Sequence, residues 1–194
     1  RDVVVEVKGS MLGVRNVVPG LQLLLPELAA FTSITSLNLR FQGLVSFPAS
    51  LCALTELKKL DLCGNKIVAL PDTIGDLKEL TDLNVGGNKL TALPDSIAAL
   101  TQMKKLYLSS NKFTTLPKPI VKLTMLTELD LCFNQLVTLP DTIAALTALK
   151  TLNLFSNKLV TLPDSIAALS ALKDLNLYNN PLAKPQASAV EAWL

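Results

Sequence analysis

The sequence contains no histidine. Its absence removes the side chain that most often serves as a general base near neutral pH and the commonest metal ligand. Cysteine is scarce: Cys52, Cys63 and Cys132 are the only three. None falls in a C-x-x-C pair. An odd number at wide spacing describes neither a disulfide framework nor a zinc site, so all three are expected as free thiols. No Asn-x-Ser/Thr acceptor occurs either. With both marks of an oxidising, secretory setting missing, a reducing cytoplasmic location is the expectation. An excess of one charge is also lacking. The 18 basic and 16 acidic residues leave a net charge of +2, which offers no basic face for nucleic acid and no polybasic membrane signal.

Long hydrophobic runs are missing although the mean hydropathy is high, at +0.41. The most apolar stretch, residues 17–31, is interrupted by Pro19, Gly20, Gln22, Pro26 and Glu27. It falls short of the roughly 20 apolar residues that a helical span requires. No secretory signal is visible, and the start at Arg1 reads as a trimmed end. Aromatic residues make up only 5% of a chain that is 49% hydrophobic. The apolar content is therefore aliphatic, and leucine dominates it. A leucine excess at regular spacing points to a repeat array.

The repeat is 23 residues long. Residues 34–56 superpose in register on 57–79, 80–102, 103–125, 126–148 and 149–171, and a seventh unit starts at Leu172 and leaves the pattern after Leu182. The shared pattern is L-x-x-L-x-L-x-x-N-x-L-x-x-L-P-x-x-I-x-x-L-x-x. Positions 4 and 6, such as Leu60 and Leu62, alternate with polar residues as a strand does, so both face inward and position 5 faces out. Position 9 is Asn65, Asn88, Asn111, Asn134, Asn157 and Asn180, with Gln42 in the first unit. A buried amide has the donors and acceptor to satisfy backbone groups where the chain leaves the strand, and stacked amides would form a ladder. Position 15 is Pro48, Pro71, Pro94, Pro117, Pro140 and Pro163, which stops the strand. The apolar spacing that follows predicts a short helical or 3-10 turn on the convex side. Asp72, Asp95, Asp141 and Asp164 stand near the N-terminus of that turn, where negative charge is favoured.

The resulting fold class is α/β. One unit cannot bury its own apolar face, so the ends need covers. Residues 1–33 read as an N-terminal cap, with residues 2–8 as a strand on the first repeat's edge and 25–31 as a repeat end one residue short. Residues 34–182 are the repeats. Residues 183–194 read as a C-terminal cap closed by Trp193, or as the point where a longer chain was cut.

This pattern resembles the leucine-rich-repeat superfamily over residues 34–182. The phrasing LPDSIAAL at residues 93–100 and 162–169, set among L-x-x-L-x-L-x-x-N units, is similar to the 23-residue intracellular class. That class includes Ras-pathway scaffolds, the Erbin and Scribble polarity proteins and plant Ras-group repeat proteins. The resemblance implies a right-handed horseshoe with a parallel concave sheet, binding of proteins, no catalysis in the repeats, and a small GTPase or phosphatase complex as the kind of partner. The cysteine-rich flanking caps of extracellular members are not visible.

Partner residues belong at outward strand positions, because the leucines and asparagines are committed to the core. Position 5 carries Tyr107, Asp130 and Asn153; position 7 carries Arg40, Phe155 and Tyr178; position 8 carries Phe133; position 3 carries Lys59, Lys105 and Glu128. These ten are the candidate binding residues. Tyr107, Phe133, Phe155 and Tyr178 fall in four consecutive units of an aromatic-poor chain, and aromatic anchors ringed by polar groups are what a binding hot spot requires. Phe41 and Phe133, at the strand's end, are equally open to a structural role tucked toward the loop. The mixed charges around them would orient a partner more than add affinity. Lys66, Lys89, Lys112 and Lys158 at position 10 read as a solvated rim.

Catalytic chemistry is not expected. Cys63 and Cys132, and likewise Asp61 and Asp130, are three repeats apart, about 14 Å at a strand spacing of about 4.8 Å. That is too far for a disulfide or a glycosidase pair. Gly86-Gly87 lacks the spacing of a phosphate loop. No cofactor, metal or small-molecule substrate is expected, since the small residues at Gly64, Gly86, Gly87, Ser109 and Ser110 leave the middle of the face shallow. The leading reading is an intracellular scaffold or adaptor. An extracellular recognition module, or the regulatory repeats of a larger enzyme, are the alternatives.

Overall fold

A computed structural model describes residues 4–8, 11–15 and 25–183, with side chains from residue 27 onward. The alternating leucines produce one short strand per unit. These are β3 (Ser36–Asn38), β4 (Lys59–Asp61), β5 (Asp82–Asn84), β6 (Lys105–Tyr107), β7 (Glu128–Asp130), β8 (Thr151–Asn153) and β9 (Asp174–Asn176). They are preceded by β1 (Val4–Lys8) and β2 (Met11–Arg15). All belong to one open nine-stranded sheet in strict chain order. From β2 to β9 every neighbour is parallel, and from β3 on each step pairs a residue with its equivalent 23 positions later, as Leu60 with Leu83 and Leu83 with Leu106.

The expected edge strand over residues 2–8 takes a different place. β1 does form there, but it pairs antiparallel with β2, and it is β2 that lies against the first repeat. Only two residues join β1 to β2, which permits a hairpin and no crossover. β2 reaches β3 through the 3-10 segment Leu25–Ala30, so it can run parallel to the repeats. Within residues 2–8, Asp2 and Val3 lie outside the described residues, as does the tail with Trp193.

The core sits between the sheet and the turns opposite. Positions 4 and 6 are sealed, with Leu60 at 1% exposure and Leu62, Leu106 and Leu108 at 0%. Each proline precedes a five-residue 3-10 turn, such as Asp72–Asp76 after Pro71 or Asp95–Ala99 after Pro94. The proline carbonyl accepts the N–H three residues on, as from Ile74 to Pro71 at 3.0 Å, and the isoleucine carbonyl accepts the closing leucine's N–H. Extended ψ at the proline ends the preceding segment, and the buried isoleucine fastens the turn to the core. Asp72, Asp95, Asp141 and Asp164 are exposed and make no capping bond, because the capping residue is the proline.

Successive units are fastened by the asparagine column. Asn111 Oδ1 accepts the Leu90 N–H at 2.9 Å, and its Nδ2 donates to the Val85 carbonyl at 2.9 Å and the Leu108 carbonyl at 3.1 Å. Asn65, Asn88, Asn134, Asn157 and Asn180 repeat these bonds. The expected amide stack is thus a set of amide-to-backbone bonds in which each asparagine ties its own unit to the one before. From Asn65 to Asn157 these amides are buried, so each bond is costly to leave unmade.

Candidate functional site

The sheet face is built by positions 3, 5, 7 and 8, and two local devices fix its side chains. The first is at position 5, where Asn38, Asp61, Asn84, Asp130, Asn153 and Asn176 each turn Oδ1 back to accept the N–H of the residue two further on, at 3.0–3.1 Å. These turns pin the position 7 residue. Two of the candidate binding residues, Asp130 and Asn153, therefore also hold backbone, namely the N–H groups of Cys132 and Phe155. Tyr107 is the exception in this column.

The second device is at position 8, which is left-handed in every unit. Gly64 and Gly87 have φ of 70° and 63°, Asn179 has 59°, and Ser110 and Ser156 have 53° and 58°. Phe41 and Phe133 occupy the same conformation at 54° and 53°. Glycine and asparagine adopt it readily, whereas a bulky residue there is an outlier. Both phenylalanines are also exposed, at 59% and 54%, although the Phe41 ring lies over Gly64. The column of Gly64, Gly87 and Asn179 was the sequence signal for this conformation.

The ten candidate residues separate into groups. Phe133, Phe155 and Tyr178 form an aromatic ladder across three repeats: Phe133 meets Phe155 edge-on at 5.0 Å and 81°, and Phe155 stacks on Tyr178 at 5.8 Å and 4°. Among the described residues Tyr107 makes no ring contact with them. Its hydroxyl instead donates to Glu128 Oε2 at 2.8 Å, and Lys105 Nζ meets Glu128 Oε1 at 2.7 Å. Glu128 is held below the usual carboxylate range by the Lys105 and Tyr107 bonds. Burial and then the Glu128 bond and charge push the Tyr107 phenol far up, and Glu128 raises Lys105. The network is a preformed polar cluster in which each charge has its counterpart.

Arg40 and Lys59 stand at the other end of the face. Lys59 is exposed on β4. Arg40 reaches across to Asp61 at 3.6 Å and lies 5.4 Å from the centroid of the Phe41 ring. The roles of Asp61 and Phe41 were not foreseen, since nothing in a single repeat shows which neighbour a long side chain will choose. Burial raises all three thiols. For Cys132, burial and then Asp130 push the thiol up to about 12. Cys52, Cys63 and Cys132 are all free. Among the described residues no group of three or more Cys, Asp or Glu could hold a metal ion, and no helix is long and apolar enough to cross a membrane.

Comparison with known proteins agrees with this architecture. The model of the leucine-rich repeat region matches residues 16–135, and a second leucine-rich-repeat model matches 124–182. The chain belongs to the leucine-rich repeat family. It is similar to a leucine-rich-repeat protein of Leptospira interrogans, at 36% identity and TM-score 0.67, over 79% of this chain and 45% of that one. It is also similar to the ectodomain of the Arabidopsis thaliana membrane receptor kinase GASSHO1/SCHENGEN3 in complex with CASPARIAN STRIP INTEGRITY FACTOR 2. That likeness is 32% identity and TM-score 0.72, over 80% of this chain and 20% of that one. An internalin, inlF, of Listeria monocytogenes is 25% identical at TM-score 0.72, over 81% of this chain and 45% of that one. The chain thus spans less than half the length of each of these proteins. No curated protein sequence matches. The leucine-rich repeat is a protein-interaction fold, and complexes with ligands occur among the similar structures.

Proposed function

We propose that this chain is a non-catalytic protein-interaction module of an intracellular scaffold or adaptor, and that it grips its partner on the open sheet face. The observation that carries the reading is the aromatic ladder of Phe133, Phe155 and Tyr178, exposed at Phe133 and Tyr178, beside the preformed Lys105–Glu128–Tyr107 cluster. Rigid rings give contact area at little entropic cost, and charges held in place orient a partner without being reordered. The free thiols support a reducing, cytoplasmic location. The likeness to the 23-residue intracellular class supports a small GTPase or a phosphatase complex as partner.

The test is affinity capture from cytosolic extract loaded with GDP or a non-hydrolysable GTP analogue. The baits are the wild type and a folded variant with Tyr107, Phe133, Phe155 and Tyr178 all changed to alanine. A protein captured by the wild type and lost with the variant supports the reading, and nucleotide dependence supports the GTPase. Capture that is equal with both baits sinks it. A second reading, an extracellular receptor for a secreted ligand, draws on the receptor ectodomain among the similar structures. Capture from conditioned medium instead of cytosol would favour it.

A further inference from the structure

The sheet face carries the same tripeptide twice, Asp61-Leu62-Cys63 and Asp130-Leu131-Cys132, three repeats apart. In both, the aspartate Oδ1 accepts the cysteine N–H at 3.0 Å. The surroundings differ most in charge. Across from the first copy stands Arg40, at position 7 of the preceding unit, and its guanidinium pairs with Asp61 and lies against the Phe41 ring. Its charge also draws the Cys63 thiol back down. Across from the second copy the equivalent residue is Ser109, which brings no charge. Among the described residues Asp130 has no ion-pair partner, whereas Asp61 and Glu128 each have one.

An aromatic side chain stands beside this unmatched carboxylate. Tyr107 is the register partner of Asp130 on the adjacent strand. Phe133 follows Cys132 and stands exposed in the left-handed conformation that glycine fills at Gly64 and Gly87. Its ring meets Phe155 edge-on, and a bulky residue held in this sparsely populated conformation is an outlier. Such outliers cluster at binding sites.

We propose that the surface over Ser109, bounded by Tyr107, Asp130 and Cys132, receives an arginine side chain of the protein partner, as Asp61 receives Arg40. The inference rests on the sheet-face reading above and names the partner's chemistry: a segment presenting arginine. Arginine suits the place better than lysine. Its planar guanidinium has donors for both the carboxylate and the thiol and a face to lay against a ring, while an ammonium is a compact point charge. With the guanidinium in place, Asp130 gains the counter-charge that its twin already has.

The test is a titration of the protein with L-arginine amide, followed by the backbone amide resonances of Ser109, Cys132 and Phe133. Saturable shifts at these residues are expected, with none for the neutral isostere L-citrulline amide. Asp130→Asn should weaken binding at least tenfold. It should stay folded, because asparagine fills that column at Asn84 and Asn153 with the same backbone bond. Ser109→Arg, which supplies the guanidinium from within, should abolish the shifts. Equal shifts with citrulline amide, no saturable shift with arginine amide, or an unchanged titration in Asp130→Asn would each overturn the inference. A captured protein that is lost with the four-alanine variant but kept by both Asp130→Asn and Ser109→Arg would overturn it while leaving the sheet-face reading standing. Arginine amide bound at Asp130, with capture unchanged in the four-alanine variant, would overturn that broader reading instead.

Discussion

Phe155 stacks on Tyr178 with ring centroids 5.8 Å apart and planes 4° from parallel, although Tyr178 is 78% exposed. A pair so open to water buries little area, and aromatic pairs add about 0.5–1.5 kcal/mol beyond burial. Tyr178→Ala is therefore expected to cost about 1 kcal/mol or less, lowering Tm by about 2–4 °C. Thermal unfolding followed by circular dichroism checks this. A drop beyond about 10 °C would place the ring in the fold's core energetics rather than in a binding surface.

The interior should respond on another scale. Leu106 is fully buried, so Leu106→Ala leaves a cavity and is expected to cost about 2–5 kcal/mol. Asn111→Ala strands the Leu90 N–H, while the Val85 and Leu108 carbonyls keep the amides of Asn88 and Asn134. One buried group left unsatisfied costs about 1–3 kcal/mol, so the loss should be clear but no larger than that at Leu106. Urea unfolding of both variants beside the wild type measures it. Indifference to Asn111→Ala would mean that water replaces the amide.

The repeats were legible because the period displays each structural position many times. The leucine core, the asparagine column and the proline-led turn are each spelled out by side chains of one kind, and each performs one physical task. The left-handed position 8 was obscured because Phe41 and Phe133 stand among the glycines and serines that would have marked it. The backbone bond of the position 5 carboxylates and amides was hidden by Tyr107, which breaks the column. The hairpin at the N-terminus escaped notice because it lies outside the period. Of the site, the period gave the face and its candidate residues. It could not say that Glu128 would take both Lys105 and Tyr107, or that Arg40 would reach Asp61.

Gly64 has two reasons to be glycine. Its φ is 70°, and a Cβ built there would run into the Phe41 ring. Gly64→Ala is expected to cost more than about 1 kcal/mol, since alanine at positive φ is strained without any clash. In a Phe41→Ala background the ring is gone and only the backbone strain remains, so the penalty should shrink. A double-mutant cycle from urea unfolding reads the difference as a coupling. Zero coupling would show that the ring swings aside at no cost.

Glu128 links stability to pH. Its carboxyl is held below the usual range by Lys105 first and Tyr107 second. A group depressed in the folded state adds stability above its unfolded value, about 4.3, and loses it as pH falls through the folded value. Glu128→Gln should therefore lower Tm most near pH 7. The gap to the wild type should close as both are acidified past the ordinary glutamate range. A gap that stays constant down to pH 2 would show that the bonds are made equally well by the neutral acid.

The twin cysteines offer a chemical reading of the charge difference between the two halves of the face. The thiolate is the reactive form, so a raised thiol is a slow nucleophile. Cys63 is raised by burial but drawn back by Arg40, whereas Cys132 is pushed up to about 12 by burial and then by Asp130. At pH 9 iodoacetamide should alkylate Cys63 faster than Cys132, as peptide mapping by mass spectrometry would record. Asp130→Asn removes the second cause at Cys132 and should speed its alkylation, leaving Cys63 unchanged. Arg40→Ala should slow Cys63 toward the rate of Cys132. If the two thiols react alike in the wild type, Arg40 does not set the charge around Cys63, and the two halves of the face are electrostatically equivalent.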